Sequence, residues 1–305
     1  MDDSPELEDL DLGRVTVLFG EQRGKYPQGN SLLVRGAEET AVVDPSLGIL
    51  PRRERLPRVD RVILSHCHED HLAGAHLFAD RPVHVHEADL PGLQSLEGFL
   101  DIFGFDAFPE IRASWERAAQ EQFHFRARPD ALPYRDGEVF ELGGGVRIEV
   151  VHTPGHTRGH SALWIHPDEV LFLGDIDLSS FGPYYGDAWS DLEDFERSLL
   201  RVREIPARHY VSFHHVGVVD RPTFLERLDR FSARIREREM RLLAYLEQPR
   251  SLGEIAAHRF VYRPGDAVAF AEPVERRSMG QHLERLLRAG RVVEVEPGRF
   301  RANAL

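Results

Sequence analysis

The chain of 305 residues contains one cysteine, so no internal disulfide can form. No run of about 18 apolar residues occurs, and no membrane span is expected. The start, Met1-Asp2-Asp3-Ser4-Pro5-Glu6, is acidic and lacks the basic region and apolar core of a secretory signal. Together these absences favour the cytoplasm. Lysine is almost missing: Lys25 stands against 37 arginines, which reads as genomic composition rather than function. The net charge of −13 argues against a broadly basic, nucleic-acid-binding surface. That charge is uneven. Residues 231–305 hold 14 arginines and 10 acidic residues, a balance of +4, which leaves −17 for the rest.

What is present is more specific. Leu64-Ser65-His66-Cys67-His68-Glu69-Asp70-His71 follows the apolar run Val62-Ile63-Leu64, where a strand should end. Imidazole and carboxylate are the ligands that Zn²⁺ and similar borderline metals take. His66 and His68, two apart on extended chain, leave the same face. Asp70 continues that parity, but where the chain should turn into a helix. His71 can then point to a second metal. Cys67 faces the other way and reads as a small buried apolar residue.

Three more strand-like runs end in ligand types. Val146-Arg147-Ile148-Glu149-Val150-Val151 leads into His152-Thr153-Pro154-Gly155-His156, where Pro-Gly forces a turn with His156 at its tip. Glu169-Val170-Leu171-Phe172-Leu173 ends in Gly174-Asp175, and His209-Tyr210-Val211-Ser212-Phe213 ends in His214-His215. Open sheets place chemistry at strand termini, so these ends are expected to converge.

With these motifs in hand, the chain closely resembles the metallo-β-lactamase superfamily over about residues 12 to 230. The matching residues are His66, His68, Asp70 and His71, then His156, Asp175 and His214 or His215. The resemblance implies an α/β fold: an αββα sandwich with the site at one edge of its two sheets. It implies that His66, His68 and His156 hold one metal, that Asp70, His71 and the terminal histidine hold a second, and that Asp175 bridges them. Counting from the strand favours His214 over His215, leaving the other to orient a ligand. Two Zn²⁺ per chain are expected, with Fe or Mn compatible. Having both Asp175 and His71 is more like the glyoxalase II, lactonase and RNA-processing branches than the secreted β-lactamases.

Other residues fall into supporting roles. Asp44 closes the strand Thr40-Ala41-Val42-Val43 and is expected to support the site without binding metal. His152 and His160 read as structural or orienting, as do His84 and His86, which alternate along a strand. Tyr184 and Tyr185, on the loop Phe181-Gly182-Pro183-Tyr184-Tyr185-Gly186-Asp187, are candidates for substrate contact, with core packing the alternative.

The organisation expected is a catalytic domain over 1–230, with a helical insertion at about 88–128, and a small C-terminal unit over 231–305. In that unit a helix spans about Phe231 to Leu246. A capping box at Ser251-Leu252-Gly253-Glu254 opens the next helix. A third runs from about Val274 to Ala289, with Gly290 as its stop. A hairpin over 291–301 follows. Three helices and a hairpin resemble the winged helix appended to some members of the superfamily. Arg276, Arg277, Gln281, His282, Arg285 and Arg288 are its candidate phosphate-facing residues.

The leading expectation is a dinuclear metal-dependent hydrolase. A metal-bridging hydroxide, oriented by Asp70, attacks a small-molecule ester, thioester or lactone. The alternatives are a metal-dependent ribonuclease acting on single-stranded RNA and a mononuclear iron sulfur dioxygenase. A homo-oligomer is compatible with the sequence.

Overall fold

Strands form where β-branched residues alternate between two apolar environments. Along β4 (Thr40–Val43), Ala41 and Val43 face the space between two sheets, whereas Val42 faces the helices outside. Along β9 (Val146–His152), Val146, Ile148 and Val150 face that same inner space, and Val151 looks outward. A computed structural model of the chain describes residues 8–303, so the acidic start, Met1–Glu6, lies outside them.

The first sheet runs in chain order: β1 (Leu10–Leu12), β2 (Val15–Leu18), β3 (Ser31–Arg35), β4, β5 (Arg61–Ile63), β6 (Val83–His86) and β7 (Leu132–Tyr134). It is antiparallel from β1 to β4 and parallel from β4 to β7. The second has the order β13 (Val218–Asp220), β12 (His209–Val211), β11 (Val170–Phe172), β10 (Ser161–His166), β9 and β8 (Val139–Gly143). Only β11 and β12 pair in parallel in it. The two inner faces share one buried core. The architecture is the expected α/β sandwich.

A single turn, α1 (Glu21–Gly24), follows β2, with Gln22 and Arg23 in left-handed conformations. Segment 88–128 holds three helices between β6 and β7: α2 (Leu90–Gln94), α3 (Leu96–Phe103) and α4 (Pro109–Glu121). They cover the outer face of the first sheet through Leu93, Phe99, Leu100 and Phe103. Helix α5 (Leu192–Glu204) and the first half of α6 (Arg221–Tyr245) cover the second sheet. After His71 there is no α-helix. The chain makes turns and then one short 3-10 segment, Ala75–Phe78. Its backbone is committed there to the loop, as in Gly74 N donating to Pro45 O at 2.6 Å.

Helix α6 starts ten residues before the expected Phe231, capped by Asp220 and with proline in its first turn. Its apolar stripe explains this: Phe224, Leu228, Phe231 and Ile235 pack under the second sheet, while Leu242 joins the C-terminal cluster. One continuous helix therefore crosses the expected boundary at residue 230. Beyond it, α7 (Leu252–His258) opens with the full capping box of Ser251 and Glu254. Helix α8 (Ala271–Arg288) and a three-stranded sheet follow, in the order β14 (Arg250–Ser251), β16 (Arg299–Ala302), β15 (Val292–Glu296).

Much of the polar side of α8 is engaged within the protein. Arg277 donates to Phe103 O at 2.6 Å and to Gly104 O. Gln281 accepts from Leu192 N at 2.6 Å and donates to Tyr185 O at 3.0 Å. His282 is fully buried. Arg285 pairs with Glu196 and Glu239, Arg288 with Glu193, and Arg276 with Glu272 on its own helix. Two of the arginines that residues 231–305 carry in excess, Arg285 and Arg288, are thus paired with acidic residues of α5.

Candidate metal centre

Four strand ends deliver the ligand-type residues to one edge of the sandwich. His66, His68, Asp70 and His71 lie on the loop after β5, His156 on the turn after β9, Asp175 after β11 and His214 after β12. Two glycines make this approach possible. A Cβ on Gly174, whose φ is +52, would sit 2.6 Å from His160 Nε2. On Gly155, at φ +123, it would sit 2.2 Å from Phe195 N.

Two groups of ligand atoms result: His66, His68, His156 and Asp175, and Asp70, His71 and His214. His156 Nε2 lies 2.9 Å from His68 Nδ1 and 3.1 Å from Asp175 Oδ2. The other oxygen, Asp175 Oδ1, lies 2.9 Å from His71 Nε2 and 3.8 Å from His214 Nε2. Asp70 Oδ2 is 3.0 Å from His214 Nε2. The Asp175 carboxylate thus spans both groups. His215 turns away at φ +59 and stands outside them, its ring 5.8 Å from that of His214.

Apart from the His156–His68 hydrogen bond, most of these atoms are close without being aligned as hydrogen bonds. His66 Nε2, His71 Nε2, Asp70 Oδ2 and Asp175 Oδ1 are buried with no hydrogen-bond partner. Each such group left unsatisfied costs about 1–3 kcal/mol. Borderline divalent metals are what this donor set of imidazoles and carboxylates fits.

The far side of each ring is held. Asp44 Oδ2 lies 2.7 Å from His71 Nδ1, and the same carboxylate accepts from Ser65 N at 2.6 Å and Ser65 Oγ at 2.5 Å. His156 Nδ1 donates to Tyr184 O at 2.9 Å, and His214 Nδ1 to Gly24 O at 2.7 Å. These bonds hold a proton on Nδ1 and turn Nε2 of His71, His156 and His214 toward the cluster, where it can serve as the metal-binding atom. Asp44, His66 and His71 form a third close group. It is no further metal site, because Ser65 Oγ fills it, 2.5 Å from Asp44 and 3.0 Å from His66 Nδ1.

Charge follows this geometry. Burial, with His71, His68 and His156 nearby, pushes His66 well down. Burial also pulls His214 down, but Asp175 and Asp70 outweigh it and raise it to about 9. Burial would raise Asp175, yet His71, His214 and His156 hold it well below the usual carboxylate range. His160 stands behind the cluster, accepting from Asp175 N at 3.0 Å, and burial pushes it down to about 3. His86 and His152 stack on each other at 3.9 Å, and His84 packs edge-on against Phe140.

Of the two candidate tyrosines, Tyr184 lies at the cluster: its ring is 5.7 Å from that of His156 and its hydroxyl donates to Asp187 at 3.1 Å. Tyr185 points the other way, fully buried, with its hydroxyl 2.8 Å from His282 Nε2 on α8. Its place is the core-packing alternative.

Other residues carried no signal on their own. Asp187 Oδ2 sits 3.1 Å from His68 Nε2. Asp89, buried, accepts from Thr157 Oγ1 and Gly159 N at 2.6 Å each and from Cys67 N at 3.3 Å, tying the His156 turn to the His66 loop. Tyr26 donates to Glu69 at 3.0 Å and brings its ring within 6.2 Å of His214. Asp187 ends the tyrosine loop and Asp89 opens the 88–128 insertion, but neither segment carries a pattern that marks these contacts.

A histidine-and-carboxylate centre at the strand ends of an αββα sandwich defines a class of metal-dependent enzymes. The family model described as metallo-beta-lactamase superfamily matches residues 25–214, and the chain belongs to that superfamily. Among curated relatives, the chain is 32% identical over 217 residues to the acyl-coenzyme A thioesterase MBLAC2 of Bos taurus, covering 64% of this chain and 75% of that one. It is 35% identical over 112 residues to the hydroxyacylglutathione hydrolase of Methylococcus capsulatus, covering 36% and 42%. Among solved structures, the metallo-beta-lactamase family protein TTHA1429 of Thermus thermophilus superposes with a TM-score of 0.70 at 26% identity, over 95% of this chain and 99% of that one. The chain is an enzyme of the metallo-β-lactamase hydrolase fold. No helix among the described residues is long and apolar enough to cross a membrane.

Proposed function

We propose that the chain is a dinuclear zinc-dependent thioester hydrolase. The observation that carries the reading is the set of buried, partnerless ligand atoms on His66, His71, Asp70 and Asp175, facing one another from two strand ends. His66, His68 and His156 would hold one metal, Asp70, His71 and His214 the other, with Asp175 between them. Metals held there supply a water of lowered pKa and polarise a carbonyl oxygen.

The chain's own residues do the rest. Asp44 and the carbonyls of Tyr184 and Gly24 fix the imidazole tautomers. Asp70 is the carboxylate placed to accept a hydrogen bond from the attacking water and so aim it. Tyr26 and Tyr184 wall the site and present hydroxyls beside it. Cys67 is no nucleophile: it is fully buried, its thiol donates to Asp89 O at 3.3 Å, and burial raises it well above its ordinary value.

The choice of thioester rests on the relatives, whose names describe release of acyl groups from coenzyme A and from glutathione. The C-terminal unit is read as a winged-helix-like element that shapes the substrate side of the site. Its Tyr262 lies beside Tyr184 and Asp187. Release of free thiol from acyl-coenzyme A and acyl-glutathione by the zinc-loaded chain tests the reading. Activity that survives His66→Ala unchanged would sink it.

A further inference from the structure

Three neighbouring arginines of this acidic chain have no carboxylate partner among the described residues. They line a cleft of about 440 Å³ between α6 and the segment from Phe260 to Asp266. Arg238 is 4% exposed and donates only to carbonyls, Pro183 O at 2.6 Å and Phe181 O at 2.8 Å. Arg241 donates to Phe260 O and Arg259 O, both at 3.1 Å. Arg263 makes no ion pair among the described residues, although Asp266 accepts from its backbone N. The fourth arginine, Arg234, pairs with Glu237. Four arginines and two carboxylates leave the lining at +2, in a chain of −13.

A buried guanidinium held by carbonyls alone keeps its full charge in a poorly screened place, where an anion is strongly favoured. The same cleft exposes an aromatic face: Phe181 is 37% exposed, with the Arg238 guanidinium 5.5 Å from its ring. Arginines beside an open aromatic ring suit a phosphorylated nucleotide, with phosphate on the guanidinium and base on the ring. The volume lies within the range of small-molecule sites.

The cleft and the metal centre share two walls. Phe181 lines the cleft, and Tyr184, three residues on, lies against His156. Val261 lines the cleft, and Tyr262, the next residue, lies beside Tyr184 and Asp187. The Phe181 and Tyr262 rings sit 5.7 Å apart. This wall is anchored: the buried Glu275 carboxylate accepts from Phe260 N and Val261 N at 2.9 Å and Tyr262 N at 2.8 Å.

We propose that this cleft binds the phosphate-bearing nucleotide end of coenzyme A, while the acyl thioester reaches past Tyr262 and Tyr184 to the metal centre. The proposal rests on the thioester reading and selects between carriers, because glutathione has neither phosphate nor base.

Binding of desulfo-coenzyme A, which lacks the thiol that could ligate metal, is measured by calorimetry on the full chain and on an Arg234→Ala/Arg263→Ala variant. Both side chains reach solvent, and a melting curve confirms that the variant folds. The wild type binds, and the variant binds at least about tenfold more weakly, as loss of charge-assisted contacts requires. In parallel, the kcat/KM ratio of acyl-coenzyme A to acyl-pantetheine falls by a similar factor in the variant, through KM rather than kcat. No binding, undiminished binding in the variant, or displacement by equimolar inorganic phosphate overturns the proposal. If neither thioester is hydrolysed, the thioester reading fails, and the calorimetry still decides the cleft.

Discussion

Asp44→Asn removes none of the clustered donors, yet it should weaken the hold on a metal at His71. Both carboxylate oxygens of Asp44 face donors: Oδ1 takes Ser65 N at 2.6 Å, and Oδ2 takes Ser65 Oγ at 2.5 Å and lies 2.7 Å from His71 Nδ1. An amide has only one oxygen, so its NH₂ must oppose either the Ser65 backbone N–H or His71 Nδ1. The backbone cannot change, but the imidazole can: it shifts its proton to Nε2, the atom that faces Asp175 at 2.9 Å. A protonated Nε2 cannot bind metal. Loss of such an outer hydrogen bond typically lowers metal affinity about 10–100-fold. The lost charge-assisted bond costs about 1.5–3 kcal/mol of metal-free stability. Chelator competition on purified wild type and variant measures the first, and thermal melting measures the second. Unchanged affinity in a folded variant would refute the tautomer reasoning.

Further expectations follow from the same geometry. In the metal-free chain His214 is raised to about 9 from an ordinary 6.5, so its stabilising contribution is full below pH 6.5 and fades as pH rises toward 9. Metal must displace that proton, so affinity should rise up to about tenfold per pH unit from neutrality toward pH 9, and a flat pH profile of affinity would contradict this. Tyr185→Phe should lower stability by about 0.5–1.5 kcal/mol through its lost bond to His282, with KM unchanged; a raised KM would return Tyr185 to the substrate. Gly174→Ala should destabilise the fold, because its Cβ would press on His160 at a left-handed φ; a melting temperature equal to wild type would show that the strand end yields.

The residues that meet at the cluster were legible because each sits next to a local signal: a short apolar strand and a ligand-type residue at its end. Strand counting also points to His214, the one of the pair that lies in the cluster. Asp44 was readable as support, since it closes a strand, but its bond to His71 was not. Asp89 and Asp187 act on residues 22 to 119 positions away in sequence, and no local pattern marks such a contact. A stripe beginning at Phe231 leaves out the start of α6, because Phe224 and Leu228 continue it upstream. The α8 arginines look like a nucleic-acid face in isolation. Which face of a helix is buried depends on its neighbours, and here Glu193 and Glu196 of α5 lie opposite.

The most direct test of the central claim is thiol release from acyl-coenzyme A by the zinc-loaded chain, run beside His66→Ala and Asp175→Asn under identical loading. Turnover by the wild type is expected, abolished by chelator and lost in both variants along with bound zinc. Equal turnover in all three proteins, or none by a fully zinc-loaded wild type, would contradict it.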